Sequence, residues 1–129
     1  ILDELLKKIQ HPNLIIAEYN AKFPPPVLFR IKYDPKHTWN ADDYFGASLS
    51  EFTRVLEKYS YKLICCNSHT GANAFFIKKD FLDLFKDVPE NISQIYVPPR
   101  YELYSKFAHP QSVKTIETII NNISDDNQS

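Results

Sequence analysis

An α/β fold is predicted for this chain of 129 residues, and three features of the sequence predict it. An amphipathic helical stripe stops at a proline and gives way to a short apolar run. A capped helix then leads directly into a strand-like run. Finally, two strand-like runs are joined by a five-residue connection containing glycine. Helix, short turn and buried strand in succession are the cadence of a wound α/β fold. We read residues 1–124 as a single domain, with 125–129 as a frayed tail.

The first stripe runs over residues 1–10, where Ile1, Leu2, Leu5, Leu6 and Ile9 share a helical face opposite Asp3, Lys7 and Lys8. His11-Pro12 ends it, because the residue before a proline is driven out of the α region. The run 13–19, with LIIA at its centre, predicts a central strand covered on both faces. The three prolines at 24–26 then force an extended path without amide hydrogens. From Val27 to Tyr33 the sequence alternates, setting Leu28, Arg30 and Lys32 on the wetter side of another strand. A long polar loop over 34–47 carries Trp39, and its length marks it as functional or mobile.

Ser48 followed by Glu51 is a capping-box pattern, and it opens a helix over 49–59 with Leu49, Phe52, Val55, Leu56 and Tyr59 as its apolar stripe. Tyr61–Cys66 and Ala72–Lys78 read as antiparallel strands joined through Asn67–Gly71. Asp80 starts a short helix to Phe85, and 88–99 is proline-punctuated coil. Pro110 opens a last helix with Val113, Ile116, Ile120 and Ile123 facing inward.

Composition narrows the function classes. Hydrophobic residues make up 43% of the chain, enough to build a core. The formal net charge is -1 and no basic stripe is visible, so a nucleic-acid partner is not expected. No apolar run approaches the ~20 residues that cross a bilayer. There is no basic-then-apolar secretory leader, so the expected compartment is the cytoplasm. Cys65 and Cys66 are adjacent; consecutive strand residues point to opposite faces, and the pair reads as reduced core thiols. The chain opens on Ile1 and has no methionine, from which we expect an excised domain or a processed product. Its two glycines, Gly46 and Gly71, build neither a G-x-G-x-x-G turn nor a P-loop, so no nucleotide-type cofactor is expected to be held by this chain.

The stretches IIAEYN at 15–20, YDPKHTWNADDYFGASL at 33–49 and YKLICCNSHTGANAFFIKKD at 61–80, in that order, resemble the C-terminal half of class I S-adenosylmethionine-dependent methyltransferase-like proteins, near the FkbM type. The resemblance covers about residues 1–80. It implies part of a Rossmann-like sheet in a three-layer α/β/α arrangement, mixed, with an antiparallel C-terminal hairpin. In that fold the seventh strand inserts antiparallel between the fifth and the sixth. The family holds its cofactor over the first four strands, which are not among these stretches. The resemblance therefore implies a parent that uses S-adenosylmethionine on a small-molecule or sugar-like acceptor, with this chain supplying one end of the sheet and part of the acceptor wall. A non-catalytic protein-interaction domain on an α/β scaffold is the rival reading.

Candidate site residues follow from position. Glu18, Tyr19 and Asn20 stand at the carboxyl end of the 13–19 strand, the edge at which open α/β sheets bind ligands. Glu18 is the candidate catalytic base, with Tyr19 and Asn20 as substrate-binding neighbours. The plainer alternative is that Asn20 turns the chain and Glu18 pairs with a lysine. Trp39, Tyr44 and Phe45 either line a substrate pocket or anchor their loop. Asn73, near the strand ends, is a further substrate-binding candidate, and the loop residue His69 lies close to it in the chain and is expected to be solvated. Asp34, His37, Asp42 and Asp43 contain oxygen and imidazole ligands, but nothing fixes their spacing, so a solvated acidic loop is expected and no metal. Ser48 sits in YFGAS, which does not meet G-x-S-x-G, and its capping role explains it. Half a wound sheet would leave an open edge beside the first strand, so self-association through that edge is also expected.

Overall fold

A computed structural model describes residues 1–69, 71–99 and 112–126. Within these, helix α1 (Leu2–Leu6) leads into strand β1 (Leu14–Glu18), and helix α2 (Leu49–Glu57) into strands β2 (Tyr61–Cys66) and β3 (Asn73–Lys78). Tighter helix follows, two turns at Lys79–Leu84 and one at Ile92–Gln94, and helix α3 (Val113–Asp126) completes the described chain. The three strands form one open sheet in the order β1-β3-β2. Strand β3 is antiparallel to both neighbours, so β1 and β2 run parallel to each other. The hairpin expected between 61 and 78 is present.

The first strand is not central, because β3 occupies the middle of the sheet and leaves β1 at an edge. Nor is β1 covered on both faces: Leu14 and Ile16 are 46% and 56% exposed. The inner face carries Ile15, Ala17, Phe76, Ala74 and Leu63, against which Leu6 of α1 and Leu49 and Leu56 of α2 are buried. Leu14, Ile16 and Cys65 lie on the other face with solvent access. A three-layer arrangement is therefore not what these residues form. They make two layers, with both early helices on one face. A continuous apolar run in a sequence marks capacity for burial on two faces, and here only one is covered.

Several element boundaries moved for identifiable reasons. Helix α1 ends at Leu6, and the His11 ring sits 2.8 Å from the Leu6 carbonyl, occupying one of the acceptors a helix end leaves open. Val27–Tyr33 is extended but joins no sheet. Its ladder-like backbone bonds go to the chain before α2, through Ile31 N–H to the Gly46 carbonyl (3.0 Å) and Ser48 N–H to the Phe29 carbonyl (2.8 Å). Strand β2 carries a bulge between Leu63 and Cys65, which turns Cys65 outward; it is exposed and not a core thiol. Both cysteines are free.

The capping pattern at Ser48 is half formed. Ser48 Oγ accepts from Glu51 N–H (3.2 Å), but the Glu51 carboxylate turns away to take a two-pronged bond from Arg54. Helix α3 corrects a further expectation: Val113, Ile116, Ile120 and Ile123 are 72%, 46%, 58% and 43% exposed, and Thr115 is the buried residue. Polar ties decide its orientation. Asp43 accepts from Ser112 N–H at its start, and Asn122 bonds both the N–H and the C=O of Leu28 at 3.2 Å. Pro110 and residues 127–129 lie outside the described residues.

Candidate functional site

Two places on this fold hold chemistry. The first is the carboxyl end of β1. Bonds from Lys78 N–H to the Asn13 carbonyl and from Tyr19 N–H to the Ala72 carbonyl turn the odd-numbered residues of β1 toward β3. By alternation, Leu14, Ile16 and Glu18 direct their N–H and C=O groups to the free edge. Glu18 stands opposite Asn73 in the register, a pair whose side chains share the outer face. Glu18 is exposed and has no ion-pair partner among the described residues, so the lysine pairing considered for it is not formed. The structure thus brings together two of the sequence candidates, Glu18 and Asn73.

Tyr19 and Asn20 are committed to the fold. Tyr19 is 2% exposed and its hydroxyl donates to the Val97 carbonyl (2.6 Å). Asn20, 1% exposed, donates to the Asp43 and Phe45 carbonyls (2.9 and 3.0 Å) and accepts from Lys22 N–H (3.2 Å). It clamps the 43–45 turn against the end of β1. Tyr44 accepts from Lys32 N–H through its hydroxyl (3.0 Å), and Trp39 donates to the Asp42 carbonyl (2.8 Å). Both side chains are partly exposed and bonded within the 20–47 segment. His69 is exposed in the hairpin loop.

Beneath that turn lies a buried ion pair that sequence spacing did not reveal. Lys22 and Asp43 are 6% and 5% exposed and bond to each other directly. Asp43 also accepts from Ser112 N–H (2.8 Å) and the Thr115 hydroxyl (2.5 Å). Burial pushes the Asp43 carboxyl up; the bonds from Lys22, Thr115 and Ser112 outweigh it and hold it at about 2. Its role is structural, joining the 20–47 segment to α3. No set of three or more metal-ligating side chains occurs among the described residues, Asp34, His37, Asp42 and Asp43 included. Burial likewise pushes the Cys66 thiol up to about 11, and Cys65 is raised for the same reason, so neither is poised as a thiolate nucleophile.

The second place is a groove of about 480 Å³ between the start of α1, one flank of α2 and the chain at 30–37, extended to Tyr33 and then turning at 34–37. Its apolar surface comes from Leu2, Ile31, Phe52 and Val55. The helical stripe read from the sequence is thus divided: Leu49 and Leu56 are fully buried in the core, while Phe52 and Val55 are half-buried and line the groove. Arg30, Lys32 and His37 contribute its basic groups. The alternation over 27–33 had set Arg30 and Lys32 on one side, and that was the signal available in the sequence. Their meeting with α1 and α2 was not.

No family model matches this chain, and no curated protein or solved structure matches it either.

Proposed function

We propose that this chain is the C-terminal portion of a class I S-adenosylmethionine-dependent methyltransferase-like protein, supplying one end of the sheet and part of the acceptor wall. The observation that carries the reading is the strand order β1-β3-β2, with β3 antiparallel between two mutually parallel strands and α2 connecting β1 to β2. That is the arrangement the sequence resemblance implies for the fifth, seventh and sixth strands. The N–H and C=O groups of Leu14, Ile16 and Glu18, unpaired among the described residues, support it, since a further strand would pair there and return β1 to the interior. The second helix layer would come from the same missing half. Until that edge is paired it is also the surface for self-association.

In this reading the cofactor belongs to the other half. Both glycines of this chain already serve local turns, at φ 58° for Gly46 and 61° for Gly71. Glu18 is the general base for an acceptor, a small or sugar-like molecule, that must lose a proton. It stands at the carboxyl end of the strand, where open α/β sheets bind ligands, with no cation partner among the described residues.

Calorimetric titration of this chain with S-adenosylmethionine should give no heat of binding. The protein extended at its amino end, with a strand and glycine-rich turn, should bind it at micromolar concentration. In that longer protein Glu18→Gln should lower turnover about 100-fold with cofactor affinity unchanged. Micromolar binding by this chain alone, or none by the longer protein, would overturn the assignment. The rival, a non-catalytic interaction domain, draws on Tyr33 and Trp39, which are 70% and 55% exposed, and failure of the longer protein to bind cofactor would favour it.

A further inference from the structure

The groove beside α1 and α2 has the size of a small-molecule site, typically about 300–1,000 Å³ with mostly apolar walls and a few convergent polar groups. Its polar groups are unevenly committed. Glu51 is held by the Arg54 fork at 2.8 and 2.7 Å. Asp3 is bonded by the Tyr59 hydroxyl (2.9 Å) and approached by Lys7 (3.3 Å). Asp34 accepts from Lys36 N–H (2.8 Å) and is the one wall carboxylate with no cation partner among the described residues. On the basic side, Arg30 is 70% exposed and makes a single 3.4 Å contact with Glu51, leaving most of its fork open. Lys32 has no ion pair among the described residues. His37 Nε2 is buried without a hydrogen-bond partner.

Arg30, Lys32 and the His37 imidazole therefore face a single wall carboxylate, Asp34, that is not already neutralised. We propose that this groove binds an amphipathic carboxylate, a fatty or aryl acid. Its apolar body lies along Leu2, Phe52 and Val55. Its carboxylate lies between Arg30 and Lys32, beside the His37 ring. Charge-assisted bonds from a guanidinium are about twice as strong as neutral ones, so the head group and not the chain alone sets affinity. The assignment does not depend on methyl transfer.

The test is a titration of the ¹⁵N-labelled full chain, followed by NMR, with decanoate, decanol and decyltrimethylammonium below their aggregation limits. Decanoate should bind saturably with shifts at Ile31, Phe52 and Val55. Decanol should bind at least about tenfold more weakly, as expected for loss of one or two charge-assisted bonds. The ammonium should bind more weakly still. The exposed double variant Arg30→Gln/Lys32→Gln should bring decanoate down to the level of decanol and leave decanol unchanged. Val55→Trp should abolish binding of all three by filling the groove, and if that variant does not fold, the double variant decides. Equal binding of decanoate and decanol would overturn the proposal. So would tighter binding of the ammonium, shifts confined to Leu14 and Ile16 on the outer sheet face, or no saturable binding of decanoate.

Discussion

Replacing Asp43 by asparagine removes one charge from the buried pair with Lys22 while keeping an acceptor for Ser112 N–H and the Thr115 hydroxyl. Lys22 is only 6% exposed, so its ammonium would lose the charge of Asp43 without gaining water. Breaking a buried pair in this way costs about 3–5 kcal/mol, and the retained acceptor places Asp43→Asn near the lower end. An independent route agrees. The carboxyl sits at about 2 against an ordinary 3.8, roughly two units, or about 2–3 kcal/mol of preference for the charged form. The sign follows from that depression. The stabilisation is complete above the ordinary carboxylate value and is lost as pH falls through about 2. Urea unfolding should therefore place the variant about 3 kcal/mol below the parent at neutral pH, with unchanged m. The gap should close between about pH 4 and pH 2. Lys22→Met combined with Asp43→Asn should recover much of the loss, since no ammonium is then stranded. A gap under about 1 kcal/mol at neutral pH, the range of an exposed pair, would refute the reasoning. So would a gap that persists unchanged through the acid range.

Ser48→Ala should cost about 2–3 kcal/mol in the same assay, more than the ~1 kcal/mol of an ordinary cap. The fully buried hydroxyl also accepts from Phe29 N–H (3.1 Å) and donates to the Val27 carbonyl (2.7 Å), both orphaned by the change; a loss of only ~1 kcal/mol would show that this tie contributes nothing. Gly46→Ala and Gly71→Ala separate backbone strain from collision. Both glycines have positive φ, but a Cβ at Gly46 meets nothing within 4 Å, whereas at Gly71 it falls 2.5 Å from the Pro98 carbonyl oxygen. Gly46→Ala should cost about 1 kcal/mol from strain alone. Gly71→Ala should cost clearly more and increase hydrogen exchange near Tyr96 and Val97, and equal costs would count against the packing described for that loop.

Local rules carried far along this chain. The β2–β3 hairpin was legible because alternation and a five-residue loop with Gly71 are properties of neighbouring residues. The Ser48 cap was legible for the same reason, whereas the first helix ends at Leu6, ahead of the stop expected at His11-Pro12. What the sequence could not decide was which faces would be covered. Leu14 and Ile16 are as apolar as any core residue, yet they lie on an edge strand, because a hydrophobic side chain records a capacity for burial and not the presence of a partner. The stripe of α3 turned outward for a related reason: Asp43 and Asn122 hold the helix by its polar side, and those ties span 69 and 94 residues. Asn20 was legible as a turn residue at the end of β1, but not as a clamp on Asp43 and Phe45. The Lys22–Asp43 pair and the groove uniting Arg30, Lys32 and His37 with Phe52 and Val55 were decided only in the tertiary structure. No periodicity links residues that the chain brings together solely by folding back on itself.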